Sequence, residues 1–147
     1  MLASTLDPGD PARVSEFKRE VISTERAPAA VGNYNQAIVA SGATRTLYAS
    51  GQIGLVPGKP ELGIPGDVAQ QTTQVLDNLA AVLAAADMSL ANVARATIYL
   101  ADMGDFATVD GIYGQRFEPG SHPARATIQV AALPKGALVE IDVIAVA

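Results

Sequence analysis

The sequence predicts an α+β fold: a single mixed β-sheet with two helices on one face. Three observations carry this. Helical and strand-like stretches follow one another in the order β-ββ-α-β-α-ββ, residues 67–86 repeat apolar side chains at helical spacing, and two apolar strands close the chain. At 147 residues the chain fits one domain, and a chain of this size buries roughly 68–70% of its unfolded surface without needing staples.

Residues 1–17 mix Pro8, Gly9, Asp10 and Pro11 with charges and no period, so they read as a flexible N-terminal arm ahead of a domain over 18–147. Glu20-Val21-Ile22-Ser23 is the first strand, followed by an irregular loop from Ala27 to Asn35. Gln36-Ala37-Ile38-Val39-Ala40 and Thr46-Leu47-Tyr48-Ala49-Ser50, separated by Ser41-Gly42-Ala43-Thr44, read as a hairpin. A loop punctuated by proline and glycine occupies 57–66.

Asp67 then opens the clearest helix, with Gln70 completing a capping box. Val68, Thr72, Val75, Leu76, Leu79, Val82, Leu83 and Ala86 share its apolar face. Residues 93–100 alternate as a strand, and 102–117 form a second helix with Phe106, Val109, Tyr113 and Phe117 on one side. Pro119, Gly120 and Pro123 stop it. Residues 124–130 and 138–146 are the last two strands, joined through Leu133-Pro134-Lys135-Gly136. Two helices cover only one side of such a sheet, while Ile144 and Val146 keep its other side partly apolar. A homo-oligomer packed through that open face is expected, with any site near the strand ends shared between subunits.

Composition narrows the chemistry. There are no cysteines, so disulfides, thiolate metal sites and thiol nucleophiles are excluded. The single histidine, His122, cannot supply the imidazole set that protein zinc sites recruit, and no metal or organic cofactor is expected. A net charge of −5 and a pI near 4.7, with basic residues scattered singly, argue against nucleic acid as a partner. The N-terminus has neither the basic start nor the apolar run of a secretory signal, and the longest apolar stretch, 79–86, is too short to span a bilayer. A soluble, cytoplasmic protein is expected.

The residues that carry chemistry stand on the last two strands. In Pro123-Ala124-Arg125-Ala126-Thr127-Ile128, a proline aims a strand whose arginine is a rigid fork of donors suited to a carboxylate. In Val139-Glu140-Ile141-Asp142-Val143, carboxylates occupy a strand that a core would keep apolar. Glu140 is satisfied by Arg125, by a backbone partner or by a wet pocket, and a structural Arg-Glu pair between neighbouring strands is the competing reading. Asp142 shares its face by period two and reads as an exposed edge position. Tyr34 and the Ser50-Gly51 pair are individually weak signals, and His122 reads as exposed. No phosphate-binding loop, dinucleotide fingerprint or nucleophile elbow occurs.

Taken together, Ala27-Pro28-Ala29-Ala30-Val31-Gly32-Asn33-Tyr34, Ser50-Gly51-Gln52-Ile53, Asp67-Val68-Ala69-Gln70-Gln71, Leu76-Asp77-Asn78-Leu79, Asp105-Phe106-Ala107-Thr108-Val109, Pro123-Ala124-Arg125, Leu133-Pro134-Lys135 and Val139-Glu140-Ile141-Asp142 resemble the RidA family. This family is also called YjgF and, in older usage, the endoribonuclease L-PSP and translation-inhibitor family. The resemblance covers about residues 24–147. It implies a chorismate-mutase-like protomer, a homotrimer with sites in the clefts between subunits, and hydrolysis of 2-imino acids and their 2-aminoacrylate (enamine) tautomers to 2-keto acids and ammonia without a cofactor. By the same resemblance Arg125 grips the substrate carboxylate and Glu140 attends the attacking water, while Tyr34, Ser50, Gly51, Asp110 and Thr127 line the cleft. Asp110 stands where asparagine is common, Thr127 where cysteine is frequent, and Asn33 where proline is usual. An extra carboxylate at Asp110 would oppose an anionic substrate unless protonated or paired. The alternatives are a module that binds a keto or imino acid and regulates a partner protein, and an RNA-cleaving inhibitor, against which the acidic chain argues.

Overall fold

In the computed structural model, which describes residues 16–63 and 65–147, the strands are β1 (Lys18–Ile22), β2 (Ala37–Ser41), β3 (Thr46–Gln52), β4 (Val93–Leu100), β5 (Ala124–Gln129) and β6 (Val139–Val146). The helices are α1 (Val68–Ala85) and α2 (Phe106–Gly114). The predicted arm lies, up to residue 15, outside the described residues. The main sheet has the order β3-β6-β4-β5 and is mixed: β4 runs parallel to β5, and β6 is antiparallel to both β3 and β4. The α+β class and the pair of helices on one face follow the prediction. Among the described residues, no helix is long and apolar enough to cross a membrane.

Helix α1 begins where Asp67 Oδ1 accepts from the Gln70 amide at 3.0 Å, relieving one of the orphan donors of the first turn. Its apolar stripe, Val75, Leu76, Leu79 and Leu83, packs with Val93, Ala96, Ile98 and Leu100 of β4 and Val139, Ile141, Val143 and Ala145 of β6 in one core. Val82 departs from the expected stripe and faces outward, 38% exposed. Near the start of the same helix Gln71, outside the expected stripe, is buried, and its Oε1 accepts from the Leu138 amide at 2.9 Å and so satisfies the entry to β6.

Three further expectations change. The first is the hairpin: β2 pairs with β1, not β3, and together they form a separate two-stranded antiparallel sheet outside the four-stranded one. The cause lies on either side of β2. Gln36 Nε2 reaches the carbonyls of Thr24, Ala27 and Pro28 while its Oε1 accepts from the Thr24 amide, which folds 23–36 back on itself. After β2, the amides of Thr44 and Arg45 donate to the Ala147 carbonyl, so the chain hooks onto the C-terminus and delivers β3 to β6. Arg19 ties the hairpin to the body through the carbonyls of Val93 and Ser121.

The second is the extent of the second helix. Asp102 caps a single 3₁₀ turn, Met103–Asp105, by accepting from the Gly104 amide at 2.8 Å, and α2 then ends at Gly114. Beyond it only i,i+3 bonds continue, from Arg116 to Tyr113 and from Phe117 to Gly114. Asp142 is also not at an edge, because β6 is an inner strand, and it accepts a 2.8 Å bond from the Tyr99 hydroxyl. On the sheet face turned from the helices, Tyr48 is 76% and Ile128 43% exposed.

Candidate active site

Arg125 enters the sheet one residue into β5, and its register decides what it can touch. It pairs with Ala96, a fully buried residue of β4, so its side chain points under α2. The entry is held from outside by Asn35, whose Nδ2 donates to the carbonyls of Gly120 and His122 and whose amide donates to the Pro123 carbonyl. Pro123 is itself buried. The guanidinium carbon then lies 5.2 Å from the Tyr113 ring, 5.3 Å from Tyr34 and 5.7 Å from Phe106, a box of three π faces around one cation.

The fork is already engaged. Arg125 Nη1 donates to the Asn33 carbonyl at 3.2 Å and to Asp110 Oδ1 at 2.5 Å, and the two charged side chains are only 2% and 15% exposed. Asp110 Oδ2 in turn accepts from Asn33 Nδ2 at 2.9 Å, and the same Nδ2 reaches the Asp110 carbonyl at 3.0 Å. Gly114 permits this, because a Cβ there would overlap the Asn33 side-chain amide. A Cβ at Gly32 would stand 3.4 Å from Nη2 and 3.6 Å from both Asp110 Oδ2 and the Tyr34 ring, so the Gly32 main chain borders the fork beside those two side chains. Among the described residues both side-chain hydrogen bonds of Arg125 leave from Nη1, and Nη2 and Nε make none.

Burial pushes the Tyr113 hydroxyl well above the usual phenol range, with the field of Arg125 opposing the shift, so the ring serves this site as a neutral wall. Its hydroxyl and Thr127 Oγ1 are both buried without a hydrogen-bond partner among the described residues. Thr127 pairs with Ile98 and so lies on the same sheet face as Arg125. His122 is half-buried rather than exposed: its Nε2 sits 3.1 Å from the Gly114 carbonyl and its ring meets Phe117 at 5.7 Å.

Glu140 belongs to a second cluster. It pairs with Tyr99, which alternates with the core residues Ile98 and Leu100, so it projects from the opposite face of the sheet. There Ser50 and Gly51 form the irregularity between Ala49 and Gln52 where β3 slips against β6. A Cβ on Gly51 at that bulge would overlap the Glu140 carboxylate where it stands. The structural Arg-Glu pair weighed from the sequence therefore does not form within a protomer. Strand β4 separates β5 from β6, and the two side chains leave opposite faces.

The structure thus brings Arg125 together with Tyr34 and Asp110, puts Thr127 on their sheet face, and gathers Ser50, Gly51 and Glu140 elsewhere. Phe106, Tyr113 and Asn33 complete the arginine cluster without having been singled out as site residues. The signal for two of them was present: Phe106, Asp110 and Tyr113 stand at i, i+4 and i+7, which puts a carboxylate inside the apolar stripe of α2. A cleft of about 580 Å³ lined by Asn33, Gly114, Phe117 and His122 adjoins this cluster through Asn33.

The family model described as "Endoribonuclease L-PSP" matches residues 24–147. The Bos taurus protein named 2-iminobutanoate/2-iminopropanoate deaminase is 49% identical over 133 residues, covering 90% of this chain and 93% of that one. The Rattus norvegicus protein of the same name is 50% identical over the same length and the same shares. Among solved structures, RidA from an Antarctic Psychrobacter species superposes with a TM-score of 0.65 at 38% identity, covering 87% of this chain and 99% of that one. With a match that spans both the arginine cluster and the Glu140 cluster, this chain belongs to the endoribonuclease L-PSP family, the RidA/YjgF proteins.

Proposed function

We propose that this protein is an imine deaminase, hydrolysing 2-imino acids and 2-aminoacrylate-derived enamines to 2-keto acids and ammonia in clefts between the subunits of a homotrimer. The observation that carries this reading is the Arg125 guanidinium, held in a three-ring box with Nη2 and Nε left for a carboxylate. The names and identities of the relatives support the same reaction.

An imine carbon is electrophilic enough to react with water unaided, so positioning and one proton-transfer group suffice. Arg125 takes the carboxylate in a two-bond grip and sets the imine carbon. Glu140, on the opposite sheet face of its own protomer, is supplied by a neighbouring copy and removes a proton from the attacking water. A C–O bond forms, the imine nitrogen takes the proton back from Glu140, and the resulting carbinolamine loses ammonia as its C–N bond breaks and its hydroxyl proton passes to the departing nitrogen, giving the keto acid. Tyr34 and Thr127 line the arginine side of the cleft, and Ser50 and Gly51 line the carboxylate side.

Glu140→Gln keeps the shape and removes the base. It is expected to lower kcat by about 10²–10⁴-fold with little change in KM, measured by generating imino acids in situ with an amino-acid oxidase and following their loss with a trapping reagent. Gly51→Ala forces the Glu140 carboxylate aside. A displacement of that size is expected to cost up to about 10²-fold in kcat, and a variant as active as wild type would show that Glu140 does not act from this position. A wild-type protein that fails to hasten imino-acid loss but retains keto-acid binding would favour the regulatory binding module.

A further inference from the structure

The arginine cluster contains a carboxylate that a simple anion grip would not include. Asp110 holds one arm of Arg125 at 2.5 Å, the pair is nearly closed off from solvent, and Asn33 fixes the second oxygen of the carboxylate. Arg19, the other cation whose field reaches Tyr113, spends its fork on the carbonyls of Val93 and Ser121. The charge in contact with Arg125 is therefore set by Asp110, and the buried pair is neutral.

A ligand that places its carboxylate on Nη2 and Nε enters a site without net positive charge. A 2-keto acid brings one uncompensated negative charge beside Asp110. A 2-imino acid protonated on nitrogen is a zwitterion, and its nitrogen, one bond from the carbon that bears the carboxylate, supplies both a positive charge and N–H donors. Asp110 is acceptor-only and cannot donate to the oxygen of a keto group. A Glu140 from a neighbouring copy adds a further negative charge and sharpens the same preference.

We propose that Asp110 is a specificity-determining residue that makes the Arg125 site select zwitterionic iminium ligands over anionic 2-keto acids, so that substrate is held and product is expelled. The inference rests on the imine-deaminase reading for its ligand, and its test does not depend on turnover. Calorimetry with two stable probes that share a side chain, 2-aminobutyrate as the zwitterion and 2-oxobutyrate as the anion, reads the preference directly.

In the wild-type protein 2-aminobutyrate is expected to bind at least about tenfold tighter, the scale of one lost charge-assisted hydrogen bond. Asp110→Asn, nearly isosteric, is expected to tighten 2-oxobutyrate at least about tenfold and to weaken 2-aminobutyrate, inverting the order. The proposal is overturned if wild type binds 2-oxobutyrate as tightly as 2-aminobutyrate, if it binds no 2-aminobutyrate, or if Asp110→Asn shifts both probes by the same factor. The wild-type ratio stands as a test even if the variant does not fold. A wild-type protein that shows the ratio but does not accelerate imine loss would remove the deaminase reading and leave the selectivity intact.

Discussion

Arg125→Ala is expected to lower kcat/KM for imino-acid loss by about 30- to 5,000-fold, the equivalent of the 2–5 kcal/mol that follows when one partner of a buried hydrogen-bonded charge pair is truncated. The loss has two sources that separate experimentally. Substrate loses its anchor, and Asp110, 15% exposed, is left without its cation inside the protein. Breaking a buried pair in this way costs about 3–5 kcal/mol of stability, and the emptied three-ring box adds to it. Arg125→Lys returns the charge but not the planar fork. It is expected to recover part of the stability while its activity stays at least about tenfold down. Urea titration beside the oxidase-coupled assay checks both, and an Arg125→Ala protein as active as wild type contradicts the assignment.

Leu79→Ala is expected to destabilise the fold by about 3–5 kcal/mol, the cost of emptying a fully buried leucine site in a core that collapses only in part. Leu79 is 0% exposed and sits in the middle of α1, where the helix meets the central strands. At about 2–4 °C per kcal/mol the melting temperature should fall by roughly 10 °C. The urea midpoint should move at constant slope, with protein concentration held equal for the two proteins so that any self-association enters both alike. A loss below about 1 kcal/mol would mean that the helix does not pack the sheet at this position.

Much of the architecture was legible because burial leaves a period in the sequence. The stripe of α1 and the alternation in β4 and β6 are direct records of which side faces the core. The β1–β2 pairing was not legible, since it is decided by the Gln36 side chain and by the Ala147 carbonyl, single polar contacts that leave no period. The same limit applies to the site. Arg125 could be picked out by Pro123 and its strand, but which face it takes depends on its register with Ala96, and register appears only when β4 and β5 are paired. Asp110, noted in the sequence as a carboxylate where asparagine is common, is paired with Arg125. The box of Phe106 and Tyr113 around them lay in the sequence as a helical spacing that read as core.

The central claim is that Arg125 and Glu140 act on one substrate although the fold sends them to opposite faces of the sheet. Subunit complementation tests it most directly: Arg125→Ala and Glu140→Gln chains, each inactive alone, are co-expressed and purified as mixed oligomers. If each site takes its arginine from one copy and its carboxylate from the next, random assembly leaves about a quarter of the sites with both native residues, and activity near that share of wild type should return. Mixed oligomers no more active than the parent variants would contradict the account.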